Sequence, residues 1–177
     1  VIGFDQQGKK TEIKRNITIK DRVVKDLTQL DFYSDFWQFP ISMADYYQIK
    51  PWSEKHWESV SGMFEMLHQI NQHSITTSVF WDLYNTRIRT LDEMMIQVKK
   101  SASGAYSYDY TNFDRYVDLA HAKGINGQIA LHNLFPWNGF LFYYDEATSS
   151  MQSVQALPGT LESVSYTHLT LPTNREV

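Results

Sequence analysis

Three short strand-forming runs constrain this chain most, because each closes on tryptophan beside polar residues and helical segments separate them. The first, residues 30–40 (LDFYSDFWQFP), is crowded with aromatics and stopped by Pro40. Such a run suits a buried strand ending in a loop, since proline cannot donate to a sheet ladder. The second, Ser74 to Phe80, is β-branched and runs into Trp81 and Asp82. The third, Ile125 to Leu131, runs into His132, Asn133 and, a few residues on, Trp137.

The intervening segments carry a different period. Trp57, Val60, Phe64, Leu67 and Ile70 recur at helical spacing, with Ser53 as N-cap and Glu54 in the first turn. A second helix is expected from Asn112 as its cap, with Phe113, Tyr116, Val117 and Ala120 on one face and a stop at Lys123-Gly124. Strands alternating with helices predict an α/β fold with parallel pairing. A longer excursion interrupts the rhythm. Met94–Lys100 and Ala105–Tyr110 flank a Gly-containing turn and predict a β-hairpin, with a helix from Leu91 as the alternative because Thr90 and Glu93 have capping-box spacing. Residues 140–155 predict another excursion.

The ends read differently. Ile13, Arg15, Ile17 and Ile19 alternate with Lys14, Asn16, Thr18 and Lys20, which predicts a half-buried strand, the last of an all-β domain over residues 1–29. Residues 164–177 resemble one frame of a translated transposase adapter used for DNA libraries. They are expected to be an artefact, so Thr167, His168 and Thr170 receive no catalytic meaning.

Composition narrows function without naming it. The net charge of -4 with interspersed acids and bases leaves no basic footprint for nucleic acid. The absence of cysteine excludes disulfides and thiolate metal sites. No apolar run reaches membrane-spanning length. His121, His132 and Asp82 lack the spacing of a metal motif, and no dinucleotide, P-loop or nucleophile-elbow motif occurs. No cofactor or metal is therefore expected. Aromatic residues at 15% suit both cores and the flat apolar faces of sugars.

The segments DFWQFP at 35–40, PWSEKHW at 51–57, ITTSVFWD at 75–82, YSYDYTNFDRYVDLAHAKGI at 106–125 and LFPW at 134–137, in that order, resemble the catalytic region of glycoside hydrolase family 123. The resemblance implies a β-sandwich followed by a (β/α)8 barrel. Residues 30–163 would then be the barrel's N-terminal part, roughly its first three strands, preceded by the sandwich's last strand. It also implies release of terminal β-linked N-acetylgalactosamine from a carbohydrate substrate by a substrate-assisted, retaining route. There an Asp orients the substrate's acetamido group and an adjacent Glu protonates the leaving oxygen.

The family's Asp-Glu pair is expected beyond residue 163, so no catalytic residue is assigned and this piece is expected to be inactive by itself. Asp145-Glu146 reads as a solvated turn pair, and Asp92-Glu93 as a cap or first-turn pair. Location stays unassigned, with a secreted or periplasmic parent as an open expectation.

In a barrel of this kind function gathers at the C-terminal ends of the strands. That singles out Asp35, Trp37, Gln38, Trp81, Asp82, His132, Asn133 and Trp137 as substrate-binding candidates. Trp37 can equally fill a core layer, and a histidine such as His132 is more often structural than an acid or base. A non-catalytic carbohydrate-binding or structural barrel-like protein is the competing expectation.

Overall fold

The computed structural model describes residues 2–4, 6–12, 14–21, 26–27, 32, 34–80, 88–132, 134, 139–157 and 159–160. Its elements run β1 (Ile2–Phe4), β2 (Lys10–Glu12), α1 (Pro40–Tyr46), α2 (Glu54–Gln69), β3 (Ser74–Ser78), β4 (Gln97–Lys100), β5 (Tyr106–Asp109), α3 (Thr111–Ala122), β6 (Gln128–His132), β7 (Phe140–Asp145) and β8 (Ser150–Gln155). A single 3-10 turn covers Leu91–Glu93. Among the described residues the strands form three separate sheets and no closed barrel.

The central pair is β3 and β6, parallel and in register from Ser74 opposite Gln128 to Ser78 opposite His132. The expected parallel pairing is therefore present. Helices α2 and α3 cover one face of it. Ile75 from β3 and Val79 just after it join Trp57, Val60 and Phe64 from α2 and Phe113, Tyr116 and Ala120 from α3 in one buried cluster. Phe64 and Tyr116 meet edge to face, with ring centroids 4.9 Å apart. Leu67 is only half-buried and Ile70, beyond the helix end, is exposed, so the expected apolar face of α2 fades in its last turn.

Local signals explain the helix limits. The Ser53 side chain accepts from the His56 N–H at the start of α2. Gly124 ends α3 with φ +86, a left-handed conformation that glycine enters without strain. A side chain there would also meet the His68 ring at 2.7 Å. The expected Asn112 cap is corrected. Helix α3 begins two residues earlier, with Tyr110 at the N-cap position, and Asp109 accepts from the Thr111 backbone N–H at 2.9 Å and its hydroxyl at 2.6 Å. A carboxylate just before the first turn satisfies an end N–H group and opposes the helix dipole, which Asn112, already inside the helix, does not do.

Helix α1 was not expected from the sequence. Pro40 occupies its first turn, where the missing N–H costs nothing. His56, fully buried, latches it to α2. The His56 Nε2–H donates to the Pro40 carbonyl at 2.9 Å, and its Nδ1 accepts from the Trp52 N–H at 2.8 Å. Those two bonds require the neutral imidazole, and burial pushes its pKa down.

The two excursions join in one sheet. Strands β4 and β5 form the expected antiparallel hairpin, β7 and β8 form a second, and β4 pairs with β7 in parallel. The sheet order is β5-β4-β7-β8. Val98, Leu141 and Tyr143 add to the same buried cluster as α2 and α3. The capping-box reading also holds at Leu91–Glu93, where Glu93 accepts from the Thr90 N–H at 2.8 Å, but the helix stops after one 3-10 turn.

The N-terminal strand is corrected. Antiparallel pairing links β1 and β2, whereas residues 14–20 form no strand and Ile17 and Ile19 are 86% and 91% exposed. Alternation creates an apolar face, but a strand also needs a hydrogen-bonded neighbour, and none of the described residues supplies one. Residues 164–177 lie outside the described residues.

Candidate functional site

Residues 34–38 run extended beside β3, joined to it by parallel bridges from Ser34 to Gln72 and from Gln38 to Thr77. The expected first strand is thus present as an extended edge and not as a continuous ladder. Two glutamine side chains explain the difference. Gln72 Oε1 accepts the Phe36 N–H at 2.7 Å, and Gln38 Oε1 accepts the Thr76 N–H at 2.7 Å. Side-chain amides therefore take bonds that backbone carbonyls take in a regular ladder. Backbone contacts complete the seam, from the Ser34 N–H to the Asn71 carbonyl at 2.8 Å and from the Gln38 N–H to the Thr76 carbonyl at 2.7 Å.

Side chains alternate across a strand. Ile75 and Val79 face the helices, so Ser74, Thr76 and Ser78 leave the opposite face. That second face is polar, which is unusual for a parallel strand, where both faces are normally apolar.

Asp35 anchors it. Its Oδ1 accepts the Thr76 hydroxyl at 2.6 Å, the Ser74 hydroxyl at 2.8 Å and the Gln72 amide at 3.4 Å. The Thr76 hydroxyl does most to hold the Asp35 carboxyl below the usual carboxylate range. Partial desolvation opposes it, and Ser74, Gln72 and the nearby His132 reinforce it. The group is ionised at neutral pH and the residue is exposed. Among the described residues, every bond to Asp35 converges on Oδ1, so Oδ2 remains an acceptor for a ligand.

Trp37, two residues on from Asp35, meets His132. Their ring centroids are 4.2 Å apart with a tilt of 39°. Trp37 is 49% exposed, so one indole face rests on protein while much of the ring meets solvent. The structure therefore brings Trp37 and His132 together at the C-terminal end of the β3–β6 pair, while Asp35 sits toward the start of β3, bonded to Ser74 and Thr76. Gln38 belongs to the same segment but is 2% exposed, and its amide also donates to the Phe36 carbonyl. It straps the segment in place and presents little to a ligand. Trp81, Asp82, Asn133 and Trp137 lie outside the described residues.

The sequence reading did not single out Ser74, Thr76 or Gln72. A serine–threonine run in a β-branched strand signals only strand, and the partner that makes it a carboxylate cradle is Asp35, far away along the chain. The described Asp-Glu pairs are engaged locally. Asp145 Oδ1 accepts the Ala147 N–H at 2.8 Å in the turn between β7 and β8, and Glu146 is exposed. Glu93 takes the Thr90 N–H. Among the described residues no cluster of His, Asp or Glu could hold a metal ion, and no helix is long and apolar enough to cross a membrane.

The glycoside hydrolase 123 catalytic-domain family model matches residues 37–172. The chain belongs to glycoside hydrolase family 123. The match starts at Trp37 and carries β3, β6 and His132, and it runs on past residue 163. Among solved structures, the family 123 chain is similar to a family 123 glycoside hydrolase from Clostridium perfringens, described for glycolipid glycan hydrolysis. The identity is 26% and the TM-score 0.64, over 75% of this chain and 24% of that one. The chain thus spans about a quarter of that relative's length. Among curated proteins no sequence matches this family 123 chain.

Proposed function

We propose that this chain is the N-terminal part of a (β/α)8 barrel, and that its polar β3–β6 face forms one wall of a sugar-binding site. The full-length protein would remove terminal β-N-acetylgalactosamine. The observation that carries this reading is a polar face that holds an exposed, ionised Asp35 through Thr76 and Ser74 and carries the half-exposed Trp37, stacked on His132, at its C-terminal end. A hexose offers a face of C–H groups and a rim of hydroxyls. An indole can stack on the former, and a carboxylate oxygen can accept from the latter. The antiparallel β1–β2 pair supports placing residues 1–29 at the end of a preceding β-domain.

The chemistry is substrate-assisted. The acetamido oxygen attacks the anomeric carbon and closes a five-membered ring, while the bond to the leaving oxygen breaks and that oxygen takes a proton from a glutamic acid. Water then attacks the same carbon, the ring opens, and the original anomeric configuration returns. An adjacent aspartate steadies the acetamido group. We place that Asp-Glu pair beyond residue 163. Asp92-Glu93 and Asp145-Glu146 are spent on turns, and Asp35, whose carboxyl sits below the usual range, is a poor proton donor at neutral pH. Asp35, Trp37 and His132 bind and orient.

The test compares two chromogenic substrates on the full-length reading frame that carries this chain, a β-galactoside with a 2-acetamido group and one with a 2-hydroxyl. Turnover only of the first supports the proposal. Turnover of the second alone overturns the substrate assignment, and turnover of neither leaves a carbohydrate-binding role as the surviving reading.

A further inference from the structure

Among the described residues, two buried polar atoms beside this face have no hydrogen-bond partner, Ser78 Oγ and His132 Nε2. Buried hydroxyls and imidazoles are normally paired, because an unmade bond leaves the full cost of desolvation uncompensated. Ser78 is 4% exposed, so bulk water does not serve it.

The fold brings these two residues together. Ser78 ends β3, His132 ends β6, and they are register partners in the parallel pair. Neighbouring strands lie roughly 4.8 Å apart, and register partners leave the same face. That face is the one on which Ser74 and Thr76 hold Asp35. Trp37 covers the His132 ring.

We propose that Ser78 and His132 form a donor–acceptor pair that recognises one hydroxyl or amide group of the sugar, with Ser78 a specificity-determining residue. The proposal rests on the sugar-binding reading of this face. A serine hydroxyl both donates and accepts, and an imidazole nitrogen does one or the other. A sugar hydroxyl has the same dual capacity and can accept from one partner while donating to the other. A buried pair built this way rejects an analogue lacking that hydroxyl, because both protein atoms are then left unpaired again.

The test uses Ser78→Ala and Ser78→Cys in the full-length reading frame. Calorimetry with N-acetylgalactosamine gives affinity, a chromogenic N-acetylgalactosaminide gives KM, and thermal melting gives stability. A hydroxyl reserved for ligand predicts affinity weakened by about three- to tenfold in both variants, the size of one hydrogen bond. It also predicts a melting temperature unchanged or raised in Ser78→Ala, since an unpaired buried hydroxyl has been removed. Two results overturn the assignment alone. One is variants that bind like a wild type that itself binds sugar. The other is a melting temperature lowered by several degrees in Ser78→Ala, which identifies a hydroxyl serving the fold. A wild type that binds no N-acetylhexosamine overturns the functional reading and this inference with it.

Discussion

The His132 imidazole supports the Trp37 indole, ring to ring at 4.2 Å, and this contact joins the end of β6 to the extended segment before α1. An aromatic pair of this kind contributes about 0.5–1.5 kcal/mol beyond simple burial. His132→Ala should therefore destabilise the protein by about that amount. It should also weaken the near-ultraviolet circular dichroism that a held tryptophan gives. An unchanged spectrum would mean that His132 does not hold Trp37.

Asp35 is the partner that makes Ser74 and Thr76 tolerable inside. Asp35→Ala leaves both buried hydroxyls short of an acceptor, which should cost about 1–3 kcal/mol in urea unfolding. Asp35→Asn keeps an acceptor oxygen and should cost less. The pH dependence follows from the lowered carboxyl pKa. The contribution is fully present above the unfolded value of about 3.9 and is lost as pH falls through the lower folded value. Equal losses of stability on acidification in wild type and Asp35→Asn would contradict this.

His56 has the same sign of shift with a different chemical origin. Its burial favours the neutral ring, so the folded pKa lies below the unfolded value of about 6.5. Stability should be full above that value and decline as pH falls from it toward the folded pKa. His56→Ala should lose this component. It should also cost about 2–4 kcal/mol at neutral pH, since the Pro40 carbonyl and the Trp52 N–H lose their partner. Urea midpoints at pH 7.5 and 5.5 would decide it, and an unaltered pH slope in the variant would refute it.

The start of α3 separates two candidate caps. Asp109→Ala should cost about 1 kcal/mol, while Asn112→Ala should be close to neutral. The reverse order in thermal melting would restore Asn112 as the cap.

Much of the scaffold was legible because its signals are local. SITTS announces β3, and the spacing of Trp57, Val60 and Phe64 announces α2. The parallel pairing of β3 with β6 follows from the alternation of strand and helix. The departures share a cause, which is dependence on partners remote in sequence. The alternation of Ile17 and Ile19 found no neighbouring strand among the described residues. Helix α1 has no strong apolar stripe and is held by His56 from another helix. Residues 34–38 needed Gln72 to complete their pairing. In the site, Asp35, Trp37 and His132 could be named from strand ends, whereas the Ser74 and Thr76 cradle and the unpaired Ser78 depend on register across the sheet.

The central claim is that this polar face binds a sugar through Trp37. Calorimetric titration of N-acetylgalactosamine into the full-length wild type and its Trp37→Ala variant tests it most directly. The account predicts saturable binding that weakens about tenfold in the variant, as loss of a stacking ring requires. Equal affinities in the two proteins would contradict it.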